Sequence, residues 1–383
     1  MNYNCENIMP LIGISATILC LSLTQSSAGE SAATKNWQMF RYSPDLRAVT
    51  RAKLPEKPKL LWSFKTEGAI NSSPSIFNNT VYFGSDDGNI YALNISNGSK
   101  LWSFKTDGPV QSSPLILSGS VYIGSDDGNL YAIDSKTGAL KWKYKTDGKI
   151  AAAPNYWQDS SLKNTCIIIG SYDNRLHCID CLTGKQIWNF DTGNFINGAA
   201  AISKNGIAIF GGCDGILHLV NISDGKEIKK IEAGAYIACS VALVDSFAYF
   251  GNMENAFHCI DIQKGTNQWT YKNRNFPYYS SPAVSDDRVV FGSRDKRVHC
   301  LDRITGKVIW TFSTRGNVDS SPAIASEKVV VGSADGRIYI LNLNDGKEIW
   351  SYDTASPISS SPAVIDSMIF IGSDNGNLYC FGK

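Results

Sequence analysis

From about residue 60 onward, the chain alternates short apolar runs with polar turn signals. In the first such unit the runs are AINSSPSIF, TVYFG, NIYALNI and KLWSFKT, at residues 69–77, 80–84, 89–95 and 100–106. Runs of this length and composition are typical of β-strands. Asp87-Gly88 and Asn97-Gly98 stand between runs, and such pairs favour hairpin turns because they tolerate positive φ. The pattern therefore predicts a unit of four antiparallel strands.

The unit recurs eight times along the chain. Its fourth run carries a tryptophan at residues 62, 102, 142, 188, 269, 310 and 350, and Lys229 fills the remaining position. A second marker, SSP, occurs at 72–74, 112–114, 280–282, 320–322 and 360–362. Four strands in a period of about 40 residues are typical of a β-propeller. We therefore predict an all-β, eight-bladed β-propeller over residues 60–383, with four antiparallel strands per blade.

The two ends of the repeat region predict how the ring closes. The last unit stops after its third apolar run, whereas the first unit is preceded by an additional fourth run at residues 60–66. Pairing this N-terminal strand with the last blade would complete the eighth sheet and remove an open strand edge. We expect the ring to be closed in this way.

The first residues have the pattern of an export signal. An apolar run at residues 9–23 is followed by Ser26-Ser27-Ala28, although no Lys or Arg precedes the run. We predict a signal peptide over residues 1–28 and a lead-in segment over residues 29–59; an uncleaved membrane anchor and a misassigned start are the alternatives. No later run approaches the roughly 18 apolar residues of a membrane span. The expected location is periplasmic or extracellular, with membrane association left open.

The charge of the chain gives no sign of a polyanionic partner. The formal net charge is +1, with 36 Lys and Arg against 35 Asp and Glu. A sequence-wide basic field is therefore missing, and we expect no nucleic acid among the partners.

Two groups of residues have the chemistry of metal sites. The turn SDDGN at 85–89 has two carboxylates, but its equivalents in the other units keep only the residues that a hairpin turn requires. The four histidines share one repeat position in consecutive units, where the other units have tyrosine: His177, His218, His258 and His299. Separate sheets lie about 10 Å apart, whereas zinc ligands lie about 2 Å from one ion. We expect both groups to be structural and predict no metal site.

The cysteines offer one possible covalent link. Cys166 and Cys181 stand at the two ends of one predicted hairpin, and export would make a disulfide between them plausible. The alternative is that the cysteines beyond residue 28 serve as small buried apolar residues.

The repeat resembles that of a known family. The line GSDDGNLYAIDSKTGALKWKY at 124–144 is similar to the repeat of pyrroloquinoline-quinone-type (PQQ-like) eight-bladed propellers, which include BamB-like members. The segment NWQMFRYSPDLRAVT at 36–50 also looks like the stretch before the first blade in that family. The resemblance implies the fold and leaves quinoprotein dehydrogenases, the BamB-type outer-membrane assembly factor and sensor domains as functional classes. The dehydrogenases have a vicinal cysteine pair, and no Cys-Cys dipeptide occurs here. We therefore expect no cofactor and no enzymatic activity.

Candidate partner-binding residues lie in three adjacent loops that depart from the repeat: TGNFING, AGAYIAC and RNFPYYS, at 192–198, 233–239 and 274–280. Their aromatic and arginine residues are of types enriched at interface hot spots: Phe195, Tyr236, Arg274, Phe276, Tyr278 and Tyr279. The alternative is that these aromatic residues fill gaps between blades. One ring inward, polar residues form a pore mouth with room for a small ligand or water: Asn71, Gln111, Asn197 and Asp319.

The sequence therefore predicts a non-catalytic protein-interaction scaffold of the cell envelope, with BamB-like outer-membrane protein assembly as one specific form. The alternative is a sensor that binds a quinone or another small ligand, or a quinoprotein-type oxidoreductase. The expected partners are other envelope proteins, and the expected propeller is monomeric.

Overall fold

The computed structural model describes residues 35–158 and 165–383, so the predicted signal peptide lies outside the described residues. Within them all regular secondary structure is β, and the strands form eight sheets. The prediction of an eight-bladed propeller with four antiparallel strands per blade is confirmed.

Two strands precede the blades: β1 Val49–Thr50 and β2 Lys59–Lys65. The remaining strands follow the chain blade by blade, each blade beginning at the strand nearest the axis. Blade 1 contains β3 Ser75–Phe77, β4 Thr80–Gly84, β5 Asn89–Asn94 and β6 Lys100–Lys105, and blade 2 contains β7 Leu115–Leu117, β8 Ser120–Gly124, β9 Asn129–Asp134 and β10 Leu140–Lys145. Blade 3 contains β11 Asn155–Gln158, β12 Thr165–Gly170, β13 Arg175–Asp180 and β14 Gln186–Asp191. Blade 4 contains β15 Ala201–Ile202, β16 Ile207–Gly211, β17 Ile216–Asn221 and β18 Glu227–Glu232.

Blade 5 contains β19 Ala242–Val244, β20 Phe247–Gly251, β21 Phe257–Asp261 and β22 Thr266–Tyr271, and blade 6 contains β23 Ala283–Val284, β24 Arg288–Ser293, β25 Arg297–Asp302 and β26 Val308–Ser313. Blade 7 contains β27 Ala323–Ala325, β28 Lys328–Gly332, β29 Arg337–Asn342 and β30 Glu348–Asp353. Blade 8 contains β31 Ala363–Ile365, β32 Met368–Gly372 and β33 Asn377–Gly382. The first strands of neighbouring blades contact one another around the axis.

The ring closes through the N-terminal strand, as the sequence predicts. Strand β2 pairs antiparallel with β33, with Trp62 opposite Cys380, and becomes the outer strand of blade 8. The last blade thus contains chain from both ends of the repeat region.

The SSP motif joins neighbouring blades near the axis. The Ser280 hydroxyl accepts from the amide of Gly292 in its own blade at 3.0 Å and donates to the carbonyl of Ser320 in the next blade at 3.1 Å. The amide of Ser281 donates to the hydroxyl of Ser321 at 2.9 Å. Equivalent amide-to-hydroxyl bonds continue around the channel and form a serine belt: Ser73 to Ser113, Ser240 to Ser281, Ser321 to Ser361 and Ser361 to Ser73.

The repeated tryptophan joins the same blades farther from the axis. The Trp102 indole donates to the carbonyl of Ser135 in the next blade at 3.1 Å. Its ring lies against Gly138, whose φ is +74° and where a Cβ would stand 2.9 Å from the indole. Lys229 supplies the same donor in blade 4, because its ammonium lies 3.4 Å from the carbonyl of Ile262 and 2.5 Å from that of Gln263. Both markers of the repeat are therefore interblade contacts.

The SDDGN turns use their second carboxylate within the turn itself. The Tyr91 hydroxyl donates to Asp87 at 2.8 Å, and Tyr339 donates to Asp335 at the same distance. Histidine replaces tyrosine in blades 3, 4 and 6 with the same geometry: His177 with Asp173, His218 with Asp214 and His299 with Asp295. These pairs have the structural role that the sequence predicts.

The lead-in segment encircles the inner edges of the blades. Its backbone carbonyls accept from inner-strand amides, including those of Ile116 to Gln38 at 2.8 Å and Ile202 to Pro44 at 2.7 Å. Beyond these, β1 adds a parallel fifth strand to β27 of blade 7. The amide of Ser326, in the turn after β27, donates to Thr50. The lead-in therefore covers the channel at the end where first strands turn into second strands, here called the lead-in face.

Replacing the one irregular residue of the tryptophan series should stabilise the fold. We expect Lys229→Trp to raise the free energy of unfolding by about 1 kcal/mol, because an indole can pack on Gly265 and donate to Ile262. Urea unfolding measures the change. The exposed neighbour Lys230 gives the control, since Lys230→Trp should leave stability nearly unchanged. A lower urea midpoint for Lys229→Trp than for wild type would contradict the interpretation that Lys229 occupies the tryptophan position of the repeat.

Two histidines should give stability opposite dependences on pH. Burial, with Lys272 nearby, lowers the pKa of His258 to about 4. Because the unfolded chain then binds a proton more readily, this contribution destabilises the fold as pH falls below about 6.5. For His218, burial opposes protonation, but hydrogen bonds to Asp214 and Glu227 outweigh it and raise the pKa. The stabilisation that protonated His218 gives to the fold is therefore present in full below about pH 6.5 and is lost as the pH rises through the raised pKa of the folded state.

We therefore expect His258→Tyr to lose about 2 kcal/mol less stability than wild type between about pH 7 and pH 4.5. His218→Tyr should lose more than wild type over the same interval. Urea unfolding at a series of pH values measures both slopes, and two variants that change the slope in the same direction would refute the pKa assignments.

Candidate functional site on the turn face

The face opposite the lead-in is built from two sets of loops. One set contains the SDDGN-type turns, and the other contains the loops that lead from an outer strand into the next inner strand. The two sets pack directly, because the Asp86 amide donates to Ala69 at 2.8 Å and a Cβ on Gly68 would stand 2.3 Å from the Asp87 nitrogen. We call this side of the ring the turn face.

Three of the predicted partner-binding residues form an exposed arc. Phe195, Tyr236 and Phe276 are 44%, 55% and 41% exposed, and they lie in the loops that lead into blades 4, 5 and 6. Arg274 is also exposed in the third loop. Phe195, Tyr236 and Phe276 are called the aromatic arc below.

Tyr278 is a core residue, so its prediction as a partner-binding residue is wrong. It is 1% exposed and packs edge-on against Phe257 and Phe291. Tyr278 occupies the repeat position that Val110 has in the loop into blade 2. Val110 packs against Gly84 of the neighbouring blade, and Tyr278 packs against the equivalent glycine, Gly251. Tyrosine here replaces the Ile or Val that anchors the loop in other blades.

Tyr279 belongs to the pore mouth and is covered by a cation. The Arg294 guanidinium lies 3.7 Å from the centre of the Tyr279 ring. The same guanidinium forms three hydrogen bonds with Asp319: Nε donates to Oδ1 at 3.1 Å and to Oδ2 at 3.2 Å, and Nη2 donates to Oδ2 at 2.9 Å. Arg294 is not among the residues predicted from the sequence. Its place in SRDKR at 293–297, where SDDGN at 85–89 has its first aspartate, is the signal that could have identified it.

A second cation–aromatic group lies beside the arc. Phe195 stacks on Tyr172 with ring centres 4.9 Å apart, and the Lys149 ammonium lies 4.4 Å from the Tyr172 ring. Tyr172 replaces the first aspartate of the turn, so that SDDGN becomes SYDNR at 171–175. The aromatic residue in this turn position is a sequence signal that could have linked Tyr172 to Phe195.

The opposite side of the mouth is acidic. The Asn71 side chain donates to Asp86 at 2.9 Å, and Gln111 also bonds to Asp86. Burial raises the pKa of Asp86 and of its counterparts in the adjoining blades, Asp126 and Asp374. Asp86 adds a repulsive contribution to both neighbours. The mouth therefore has carboxylates on blades 8, 1 and 2 and aromatic rings with cations on blades 3 to 6.

The fourth pore-mouth candidate, Asn197, lies on the aromatic side, in the loop that leads into blade 4. Its side-chain amide donates to the Cys213 sulfur at 3.0 Å. All four predicted mouth residues thus lie on the turn face, and each of them already has a side-chain partner: Asn71, Gln111, Asn197 and Asp319.

Cys166 and Cys181 are both free, so the structure has the alternative that the sequence left open and not the disulfide. Cys166 is opposite Asp180 in the β12–β13 register, so Cys181 points to the other side of the sheet. The two thiols accordingly lie in different hydrophobic clusters. Cys166 instead neighbours Cys178, whose hydrogen bond lowers the Cys166 pKa.

Within residues 35–158 and 165–383, no three His, Cys, Asp or Glu side chains converge as metal ligands would. The described ranges also contain no helix of the length and apolarity needed to cross a bilayer.

Comparison with known sequences links the chain to two propeller families. A family described as the β-propeller of β-alanine-activating enzyme matches residues 158–382. A second family, described as the β-propeller domain of glucose/ethanol/alcohol dehydrogenase, matches residues 106–206. No curated protein matches the chain significantly.

Several solved structures share the fold. BamB from Moraxella catarrhalis superimposes with a TM-score of 0.71 at 17% identity, covering 85% of this chain and 100% of that chain. The computationally designed Ika8 protein gives 0.75 at 20% identity with the same coverages. Quinohemoprotein alcohol dehydrogenase from Comamonas testosteroni gives 0.77 at 12% identity, covering 92% of this chain and 81% of that chain. At these identities the likeness concerns the fold.

The repeat sequence, the ring of eight sheets and a family match over more than half of the chain agree. The chain belongs to the family described as the β-propeller of β-alanine-activating enzyme, and its repeats are those of a PQQ-like propeller.

Proposed function

We propose that this protein is a non-catalytic interaction scaffold of the cell envelope and that its turn face binds another protein through the aromatic arc. The observation that carries the proposal is the exposure of Phe195, Tyr236 and Phe276 on three adjacent blades. Large aromatic side chains next to cations are the groups that contribute most to protein–protein binding. Contiguous exposed apolar surface on a soluble protein favours an interaction role.

The arc is held in place by its backbone. The carbonyl of Phe195 accepts from the amide of Cys213, and that of Tyr236 accepts from the amide of Met253, both at 2.9 Å. Stacking on Tyr172 also orients the Phe195 ring. A partner would therefore meet an ordered surface, and binding would cost little conformational entropy.

The envelope location has two supports. Residues 1–28 have the pattern of an export signal. The fold is shared with BamB from Moraxella catarrhalis over the whole length of that chain. Help with outer-membrane protein assembly is the specific form of the proposal that this likeness favours.

The second candidate function is that of a quinone- or small-ligand-binding sensor or of a quinoprotein-type oxidoreductase. The match of residues 106–206 to the dehydrogenase propeller favours it. The resemblance implies a vicinal cysteine pair in the dehydrogenases, and the sequence of this chain has no Cys-Cys dipeptide. Cys213 is instead followed by Asp214, which pairs with His218. The interaction scaffold is therefore the better-supported function.

A photo-crosslinking amino acid at position 236 tests the proposal in intact envelopes. We expect a defined cross-linked protein from this position, and we expect it to disappear when Phe195 and Phe276 are both changed to serine. The melting temperature should stay within about 2 °C of wild type, since exposed side chains contribute little to stability.

The matched controls are crosslinkers at Leu182 and Ile304, which are 70% and 65% exposed in the turns after the third strands of blades 3 and 6, on the lead-in face. The same product from position 236 and from either control position would refute an aromatic-arc site. A product that survives the double substitution would refute it as well.

A further inference from the structure

One arginine of the lead-in lies inside the ring. Arg41 is 2% exposed, and its carbonyl accepts from the amide of Ala48, the residue that reaches blade 7. Its Nη1 donates to the carbonyl of Pro322, the proline of the SSP motif in blade 7, at 2.6 Å. The Cys239 thiol of blade 5 is close enough to interact electrostatically with the guanidinium. The guanidinium therefore lies in the central channel at the level of the SSP motifs.

Two donors of this guanidinium have no acceptor among the described residues. Both Nε and Nη2 are buried and without a hydrogen-bond partner there. They form the same edge of the guanidinium with which Arg294 holds the two oxygens of Asp319. That edge is suited to a bidentate or bridging anion.

The surrounding chain does not supply such an anion. Carbonyls of the SSP motifs and their counterparts accept from serine hydroxyls, as those of Ala152 and Ser320 do. Burial raises the pKa of Cys239 to about 11, so this thiol is neutral at physiological pH. Burial also lowers the pKa of Arg41 to about 9, which still leaves the guanidinium charged near neutral pH. A buried charge without a counter-charge is strongly unfavourable.

We propose that the central channel contains a binding site for a small monovalent anion, held by Nε and Nη2 of Arg41. The lead-in closes the channel on one side, and the turn-face mouth is the route of entry. Carboxylates at that mouth, Asp86, Asp126 and Asp374, disfavour multivalent anions such as phosphate. Halides and short carboxylates such as acetate share the chemistry that the site accepts. The site is independent of the aromatic arc and of its partner.

Thermal unfolding at constant ionic strength tests the site with three sodium salts: chloride, acetate and gluconate. Wild type should gain roughly 2–4 °C in Tm when chloride or acetate replaces the bulky gluconate, and the gain should saturate. Which of the two small anions gives the larger gain identifies the preferred ligand. Arg41→Met keeps the length of the side chain, removes the charge and should abolish the dependence.

Arg47→Met is the matched control, because Arg47 lies in the same segment and pairs at the surface with Asp286. It should keep the full anion dependence. Equal responses of wild type and Arg41→Met would overturn the proposal.

Diffraction gives a second measurement that needs no variant. Crystals of wild type soaked in sodium bromide should show an anomalous peak within hydrogen-bonding distance of Nε and Nη2 of Arg41. Water density at that position without anomalous signal would overturn the proposal even if Arg41→Met failed to fold.

Discussion

Neighbouring blades are held together at two distances from the axis, and the rest of the structure depends on this double attachment. The outer contact is a hydrogen bond at most junctions and the packing of Trp350 on Phe381 between blades 7 and 8. Near the channel, the hydroxyl of Ser280 bridges its own blade and the next. Farther out, an indole such as that of Trp102 reaches the neighbouring carbonyl while its ring covers a glycine. Two attachment points fix both the spacing and the tilt of neighbouring sheets, which is why two short sequence markers suffice to specify a ring.

Because the strands and the interblade contacts hold the ring together, the loops can differ from blade to blade. The strands and their connecting contacts repeat, whereas the loops into blades 4, 5 and 6 have lost the common template and expose the aromatic arc. The mouth beneath them is likewise uneven, with Asp86 on one side and Arg294 over Tyr279 on the other. Recognition can vary at these positions without any change in how the blades pack.

The fold was predictable because every blade repeats the same local signals, and eight copies reinforce one interpretation. The errors concern single positions. Tyr278 was mistaken for a surface residue because two adjacent tyrosines occupy an anchoring and a mouth position, and only packing against Phe257 distinguishes them. Cys166 and Cys181 form no disulfide because their side chains project from opposite faces of the sheet, although both lie at the open end of one hairpin.

Other features left no periodic trace. The lead-in bonds mainly through backbone carbonyls, such as those of Gln38 and Pro44, and a carbonyl is present whatever the side chain. The position of Arg41 follows from that path and from nothing local in the sequence. Long-range contacts of this kind lie beyond reasoning from runs and turns.

The placement of β2 has a consequence for the order in which the molecule is made. A ribosome synthesises residues 59–65 long before residues 377–382, yet these two segments pair in one sheet. Strand β1 of the lead-in likewise pairs with β27, which is synthesised much later. Ring assembly therefore has to wait until the last blade has been synthesised, and the nascent chain carries two early segments whose partners are made much later.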